Sequence, residues 1–264
     1  DHRINAVNAI PLIDGEHRSH LVVAGDSDGG SHIFLITGDG SDGCKNIRSL
    51  LVPTMSERPI LCIEMLAIGN QILIMMGSTG GDIAIFELPA SLSQLEDYCE
   101  GSNWWYPIGG YQGHQMGTNT IFAQILSMEI TNNMMNATVS IVTGGDDQAL
   151  CISRISLEQI NDCDTRLKLV RDADLNVISE ASFSAIKGVS IVSFRDQKYL
   201  FAVGYSQQLS VWRFHSKDDM SLQCKSRVSV DLGDINSLSV YQPSDESTCF
   251  VAVCGMGVEM FQQG

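Results

Sequence analysis

Apolar residues in this chain fall in short runs bounded by turns of Gly, Asp, Ser and Thr, the pattern of β-hairpins rather than helices. Leu21-Val22-Val23-Ala24-Gly25 is an apolar strand, Asp26-Ser27-Asp28-Gly29-Gly30 is a turn, and His32-Ile33-Phe34-Leu35-Ile36 is the return strand. The hairpin recurs. A second unit has strands at 61–68, 71–77 and 83–88 around Thr79-Gly80-Gly81, and a third has strands at 122–130 and 142–154 around Asp146-Asp147. A fourth covers 189–194, 199–204, 209–214 and 224–230, and a fifth covers 235–240, 250–254 and 258–261. Aligning on the Gly that closes the second strand selects Gly25, Gly77, Gly144, Gly204 and Gly255, spaced 51 to 67 residues apart. The third strand of each unit then ends at Phe34, Phe86, Ser153, Trp212 and Phe261. The expected units lie near 4–52, 60–112, 118–171, 185–231 and 235–262, with a short helix over 91–100. The fifth has no outer strand.

Such units cannot bury their apolar faces alone, so they must stack. The stretch 113–154 carries the most specific signature: Gly113-His114, a strand, then Val142-Thr143-Gly144-Gly145-Asp146-Asp147 ahead of a strand reaching Ser153-Arg154. It resembles a WD40 repeat, marked by a Gly-His pair and an Asp turn before a strand ending in Trp-Asp. The resemblance implies an all-β, WD40-like β-propeller of about five visible blades, part of a larger propeller closed by a strand from upstream. It also implies a structural hydrogen-bond network in which His114, Asp147 and Thr143 lock one blade. Ser153 stands where the family has Trp, so that network is expected to be partial. The physical chemistry agrees: a buried His needs partners for both ring nitrogens, and a carboxylate and a hydroxyl supply them.

Composition narrows the partners. The 264 residues are 44% hydrophobic and 18% charged, a folded composition, and carry a net charge of −15. Phosphate backbones are held by clustered Lys and Arg, and the basic runs here, Arg166-Lys168-Arg171 and Lys225-Arg227, are short. A basic protein is the better electrostatic match. The eight cysteines include no Cys-x-x-Cys pair and several lie in apolar strands, which points to reduced thiols in a cytoplasmic or nuclear protein, although the even count leaves disulfides open. No run has the length of a membrane span. The chain opens Asp1-His2-Arg3 without a Met, as expected of a piece of a longer polypeptide.

Other candidate chemistry is weak. Asp26-Ser27-Asp28 with Gly30 suggests a calcium loop, but Thr37 occupies the twelfth position where a bidentate Glu is required, so a hairpin turn is the better reading. Glu16, His17 and His20 lack a further metal ligand. Asn136-Ala137-Thr138 is a glycosylation acceptor only in a secreted chain. His114 has the chemistry of a general base, but its place in the repeat favours a structural use. The trio Trp104-Trp105-Tyr106 reads either as filling of an outer strand or as a partner-binding hot spot. Neither a catalytic constellation, a cofactor motif nor a metal set is expected.

Two further patches are more particular: Tyr111-Gln112-Gly113-His114-Gln115-Met116-Gly117-Thr118-Asn119, and the ending from Leu232-Gly233-Asp234-Ile235 to Gly255-Met256-Gly257-Val258-Glu259-Met260-Phe261. With the opening Asp1–Val7 segment they resemble the C-terminal propeller of the WD-repeat protein six family. That family is the non-catalytic partner of the tRNA wobble 2′-O-methyltransferase. The resemblance implies a scaffold, not an enzyme, that places tRNA or the methyltransferase, with tRNA reached through the complex rather than by this acidic chain. A generic WD40 protein-interaction adaptor, in ubiquitin ligation or trafficking, is the alternative of the same class. A propeller enzyme with a central-channel site is the alternative of another class.

Overall fold

The apolar runs become strands of successive antiparallel meanders of three to five strands. The structure is a computed structural model and describes residues 3–12, 18–38, 44–51, 57–91, 94–95, 107–131, 134–160, 166–170, 173–216, 220–243 and 248–263. Blade 1 comprises β1 (Ile4–Pro11), β2 (Arg18–Asp26), β3 (Ser31–Gly38) and β4 (Cys44–Leu51). Blade 2 comprises β5 (Ile60–Ile68), β6 (Gln71–Ser78), β7 (Asp82–Pro89) and β8 (Gly109–Gln112). Blade 3 has β9 (Thr118–Thr131), β10 (Met134–Gly145) and β11 (Leu150–Ile160), with its outer position filled by two short strands, β12 (Leu167–Leu169) and β13 (Asp174–Ile178), both paired with β11. Blade 4 comprises β14 (Ile186–Phe194), β15 (Gln197–Gly204), β16 (Gln208–Phe214) and β17 (Leu222–Ser229). Among the described residues blade 5 has three strands, β18 (Ser237–Tyr241), β19 (Cys249–Gly255) and β20 (Gly257–Gln263). Together they form a five-bladed β-propeller. The helix expected over 91–100 is represented by Gln94 and Leu95, where the Leu95 N–H donates to Ser91 O at 3.0 Å; its remainder lies outside the described residues.

The innermost strands pack in chain order, β1 on β5, β5 on β9, β9 on β14 and β14 on β18. Every inner blade is therefore sandwiched, and successive residues of its strands point to opposite neighbours, both apolar. Leu21, Val23, Ile33 and Leu35 of blade 1 meet Ile63, Ile72, Ile74 and Phe86 of blade 2. Leu73, Met75, Ile83 and Ile85 then meet Val139, Ile141, Ile155 and Leu157 of blade 3. Val142, Leu150 and Ile152 pack on Leu200, Ala202, Trp212 and Phe214 of blade 4. Phe201, Val203, Leu209 and Val211 pack on Val251, Val253 and Phe261 of blade 5. This alternation is why the strands read as continuous apolar runs.

The recurring glycine has a packing cause in the first three blades. A Cβ on Gly25 would lie 2.5 Å from Ile60 Cγ2, and one on Gly77 would lie 2.8 Å from Thr118 Cγ2. A Cβ on Gly144 would overlap Ile186. Ile60, Thr118 and Ile186 each open the next blade's inner strand, so each glycine is a notch that lets the next blade seat. The glycine alignment slips in blades 4 and 5. Gly25, Gly77 and Gly144 pair with Ser31, Ile83 and Leu150, whereas the matching pairs facing the following blade are Val203–Leu209 and Cys254–Val258. Gly204 and Gly255 sit one residue further on, where the incoming backbone of their own blade, at Ala185 O and Gly233 O, leaves no room for a side chain.

Gly144→Ala is expected to lower stability by about 1–3 kcal/mol through overpacking. Combined with Ile186→Ala it should cost less than the sum of the two single changes by about 0.5 kcal/mol or more, because both act on one notch. Urea denaturation of the three variants measures this.

Candidate functional site

The β8–β9 connection carries His114 across the blade junction to the β10–β11 turn. Its Nδ1 lies 2.9 Å from Asp147 Oδ1 and its Nε2 lies 2.8 Å from Thr143 Oγ1. A carboxylate only accepts, so Nδ1 carries a proton and donates to it. Asp147 also accepts from the backbone N–H of Gln115 at 2.9 Å through Oδ2, and of Ala149 at 3.2 Å through Oδ1. The carboxylate thus closes its own turn and ties blade 2 to blade 3. Gly145 lacks a side chain for the same reason, since a Cβ there would run into the imidazole and this carboxylate. At the place expected of Trp, Ser153 instead donates to Ile141 O at 3.3 Å and shares a short hydrogen bond with the Tyr111 hydroxyl of blade 2. Sequence reasoning missed Tyr111, although an aromatic three residues before His114, in phase to cross the same junction, was a usable signal. Burial pushes the Tyr111 phenol above its ordinary pKa, and the bond to Ser153 only partly opposes this.

Blade 1 contains a second pair of this kind that the sequence reading took only as a turn. Asp26 is buried; its Oδ1 accepts from the backbone N–H of Asp28 at 2.9 Å and of Gly30 at 2.8 Å, while Oδ2 lies 2.8 Å from His32 Nε2. Burial opposes ionisation of this carboxyl, but His32 and the two N–H groups outweigh it and hold its pKa below the ordinary value. The fourth residue of the turn has positive φ in all of the first four blades, at Gly29, Gly81, Gln148 and Gln207. One turn geometry is therefore kept while the polar groups bracing it change.

The inner strands border an open pocket of about 280 Å³ lined by Glu64, Thr120, Lys187, Ser190, Ser237 and Ser239, among others. Glu64 on β5 accepts from Asn8 Nδ2 on β1 at 3.1 Å and from the Ala123 backbone N–H on β9, linking three blades. Desolvation pushes its carboxyl up to about 7, against the effect of those two donors. Lys187 turns to Asp146 Oδ1 at 3.3 Å and stands over the Tyr205 ring at 5.0 Å. Asp146 also accepts from Asn119 Nδ2 at 2.7 Å.

The antiparallel order brings the connections into each inner strand and the turns between second and third strands to one face of the blade array. That face exposes Met116, Phe183, Tyr205 and Met256, each more than half accessible. The Arg227 guanidinium covers Phe183 at 5.1 Å. A cleft of about 600 Å³ lined by Gln112, Gln115, Asp147, Val177, Ser179 and Glu180 opens beside the His114 network. The His114 side chain itself has no exposed surface.

Of the other residues singled out in the sequence, Trp104, Trp105 and Tyr106 lie outside the described residues, as do Glu16 and His17. Asn136 sits within β10, opposite Glu129 and Glu158. Cys62, Cys151, Cys224, Cys249 and Cys254 are free thiols. Burial pushes Cys62 up to about 12 and Cys151 up to about 11, so both behave as apolar filling rather than nucleophiles. Among the described residues, no three His, Cys, Asp or Glu side chains converge as a metal site, and no helix is long and apolar enough to cross a membrane. No protein-family model matches the chain, and no curated protein matches it.

His114→Ala should strand polar partners inside the blade junction and cost roughly 1–3 kcal/mol; an unchanged melting temperature would show that the network carries no load. Glu64 is predicted to make stability fall as pH rises. Its folded-state pKa of about 7 lies above the ordinary carboxyl value of 4.5, so the folded state holds the proton more tightly and loses that advantage between these two values. Glu64→Gln should flatten the melting temperature across this interval and raise it above pH 7, read by calorimetry at a series of pH values.

Proposed function

We propose that this chain is a non-catalytic scaffold whose rim face receives a basic protein partner. The observation that carries this reading is the set of accessible Met116, Phe183, Tyr205 and Met256 on one face of the blade array. Aromatic and Met side chains on a rigid support are efficient anchors. Rim loops also bear Asp28, Asp147, Glu180 and Asp234, and the chain's charge of −15 steers a positively charged partner toward it. His114, the general-base candidate singled out in the sequence, is sealed in the blade with both nitrogens engaged, which favours a structural part over proton transfer.

Taken with the resemblance at 111–119 and 232–261, the partner is a tRNA 2′-O-methyltransferase, and the chain serves as its cytoplasmic regulatory subunit, placing enzyme or tRNA for methylation of the wobble nucleotide. The acidic balance assigns it the enzyme rather than the phosphate backbone.

Removing the chain from cells should lower wobble 2′-O-methylation of selected tRNAs while methyltransferase abundance stays constant, measured by mass spectrometry of tRNA digests. The purified chain should bind tRNA no more tightly than about 10⁻⁴ M at physiological salt. Phe183→Asp with Tyr205→Asp should weaken methyltransferase binding at least about tenfold, the scale of losing one anchor, without a change in melting temperature. Unchanged methylation would discard the methyltransferase reading and leave a protein-binding scaffold with another partner.

A further inference from the structure

The junction between blades 3 and 4 departs from the apolar pattern at one level. On blade 3 the residues facing blade 4 include Phe122, Val142 and Ile152. Two residues away on each strand, on the same face, stand Gln124, Ser140 and Arg154, set side by side by Gln124–Ser140 and Ser140–Arg154 pairing. The corresponding rows are Ile10–Leu21–Leu35 in blade 1, Leu66–Leu73–Glu87 in blade 2 and Val192–Tyr199–Arg213 in blade 4. Of these four rows, that of blade 3 alone is polar at all three places.

The strand opposite is polar at the same level. On β15 Leu200 and Ala202 meet blade 3, and Lys198 is the next residue on that face. Its place is held in blades 2, 3 and 5 by Ile72, Val139 and Cys249, all buried. Lys198 is near enough to Arg154 for the two charges to act on each other; burial and, to a smaller degree, that guanidinium hold the ammonium below its ordinary pKa. Lys198 Nζ stands over the Phe214 ring at 5.3 Å and has no carboxylate within ion-pair distance among the described residues. Gln124 Nε2 is buried with no hydrogen-bond partner among them. Asp174, exposed and next to Arg154 in the register, sets one carboxylate against the two cations. Arg195 and Asp196 of the adjoining β14–β15 turn are exposed and add one charge of each sign. Gln124, Arg154 and Lys198 are each only partly buried, so this level of the junction is reached from solvent on the face opposite the rim.

We propose that Gln124 Nε2, Arg154 and Lys198 form a binding site for one small oxyanion, a phosphate or a carboxylate group, between blades 3 and 4. Like charges brought together where water is partly excluded cost free energy unless an opposite charge joins them, and a buried amide N–H without an acceptor adds to that cost. Guanidinium, ammonium and amide nitrogen are all donors, so the partner that satisfies the three together is an acceptor carrying negative charge. The guanidinium has five N–H groups, enough to serve Asp174 and a ligand at once. The chain's charge of −15 repels an extended polyanion, so the site takes a single group rather than a phosphate backbone. It lies away from the rim and does not depend on the partner proposed for that face.

The test titrates the purified chain with inorganic phosphate and, separately, with acetate, each against sodium chloride of equal ionic strength, reading the heat of binding and the melting temperature. Saturable binding with a Kd below about 1 mM is expected, with a melting temperature that rises with ligand concentration. Lys198→Met and Gln124→Leu, made separately, should each weaken binding at least about tenfold, the scale of one charge-assisted hydrogen bond. Without the anion both variants should melt at or above the temperature of the parent, because apolar residues fill these places in other blades. Lys225→Met removes the same charge from the opposite face of blade 4 and should bind as the parent does. Tighter binding of phosphate makes the ligand a phosphoryl group and tighter binding of acetate makes it a carboxylate; either sustains the site. Absence of saturable binding, or equal weakening by Lys225→Met, would overturn it. A lower melting temperature for Lys198→Met without the anion would also overturn it, by showing that a carboxylate of the chain itself already pairs with Lys198.

Discussion

The junction between consecutive blades is the constraint from which the rest of this structure follows. A single twisted sheet with two apolar faces has no stable existence in water, and blades 2, 3 and 4 solve that problem by lending one face to the sheet before and the other to the sheet after. The consequences reach down to single residues. β6 is buried along its whole length because both of its faces are interior, and Gly25, Gly77 and Gly144 lack side chains because the next inner strand begins where a Cβ would lie. Blade order, strand composition and the position of these glycines have one cause.

Polar groups cluster in this apolar frame where the chain changes direction. The turn between second and third strands keeps one backbone geometry in four blades, yet it is braced by Asp26 and His32 in blade 1, by Ser78 and Asp82 in blade 2, and by Asp147 with His114 in blade 3. The blade 3 version does more than brace a turn. His114 arrives from the β8–β9 connection, so its bonds to Asp147 and Thr143 tie the exit of one blade to the core of the next, and Tyr111 with Ser153 repeats that tie one strand pair deeper. Glu64 does the same among the inner strands, joining β1, β5 and β9 through a carboxyl that desolvation pushes up to about 7. Buried polar groups tie successive blades together, while Met116, Phe183, Tyr205 and Met256 stay accessible at the rim, Phe183 and Tyr205 beneath the cationic groups of Arg227 and Lys187.

Much of this was legible in the linear chain. The all-β class, the five units and the pairing of strands around Asp- and Gly-rich turns follow from local rules, because hairpin chemistry and a period of two are properties of neighbouring residues. The set His114, Thr143 and Asp147 was also within reach, since a Gly-His pair ahead of an Asp turn is a short, ordered pattern. Which face of a strand meets which neighbour was not. In strands that are apolar at every position the period-two signal vanishes, so a shift of one residue leaves no trace in the sequence. That is how Gly204 and Gly255 passed for the partners of Gly144 when Val203 and Cys254 hold those places. The bond between Tyr111 and Ser153, the two-part outer strand of blade 3 and the uncovered faces at Val7 and at Val258 likewise depend on residues far apart in the chain being brought together. Local propensity determined the strands and turns of this protein; only the stacking of sheets decided which side chains are core, which are braces and which remain open to a partner, because burial is a property of neighbours in space.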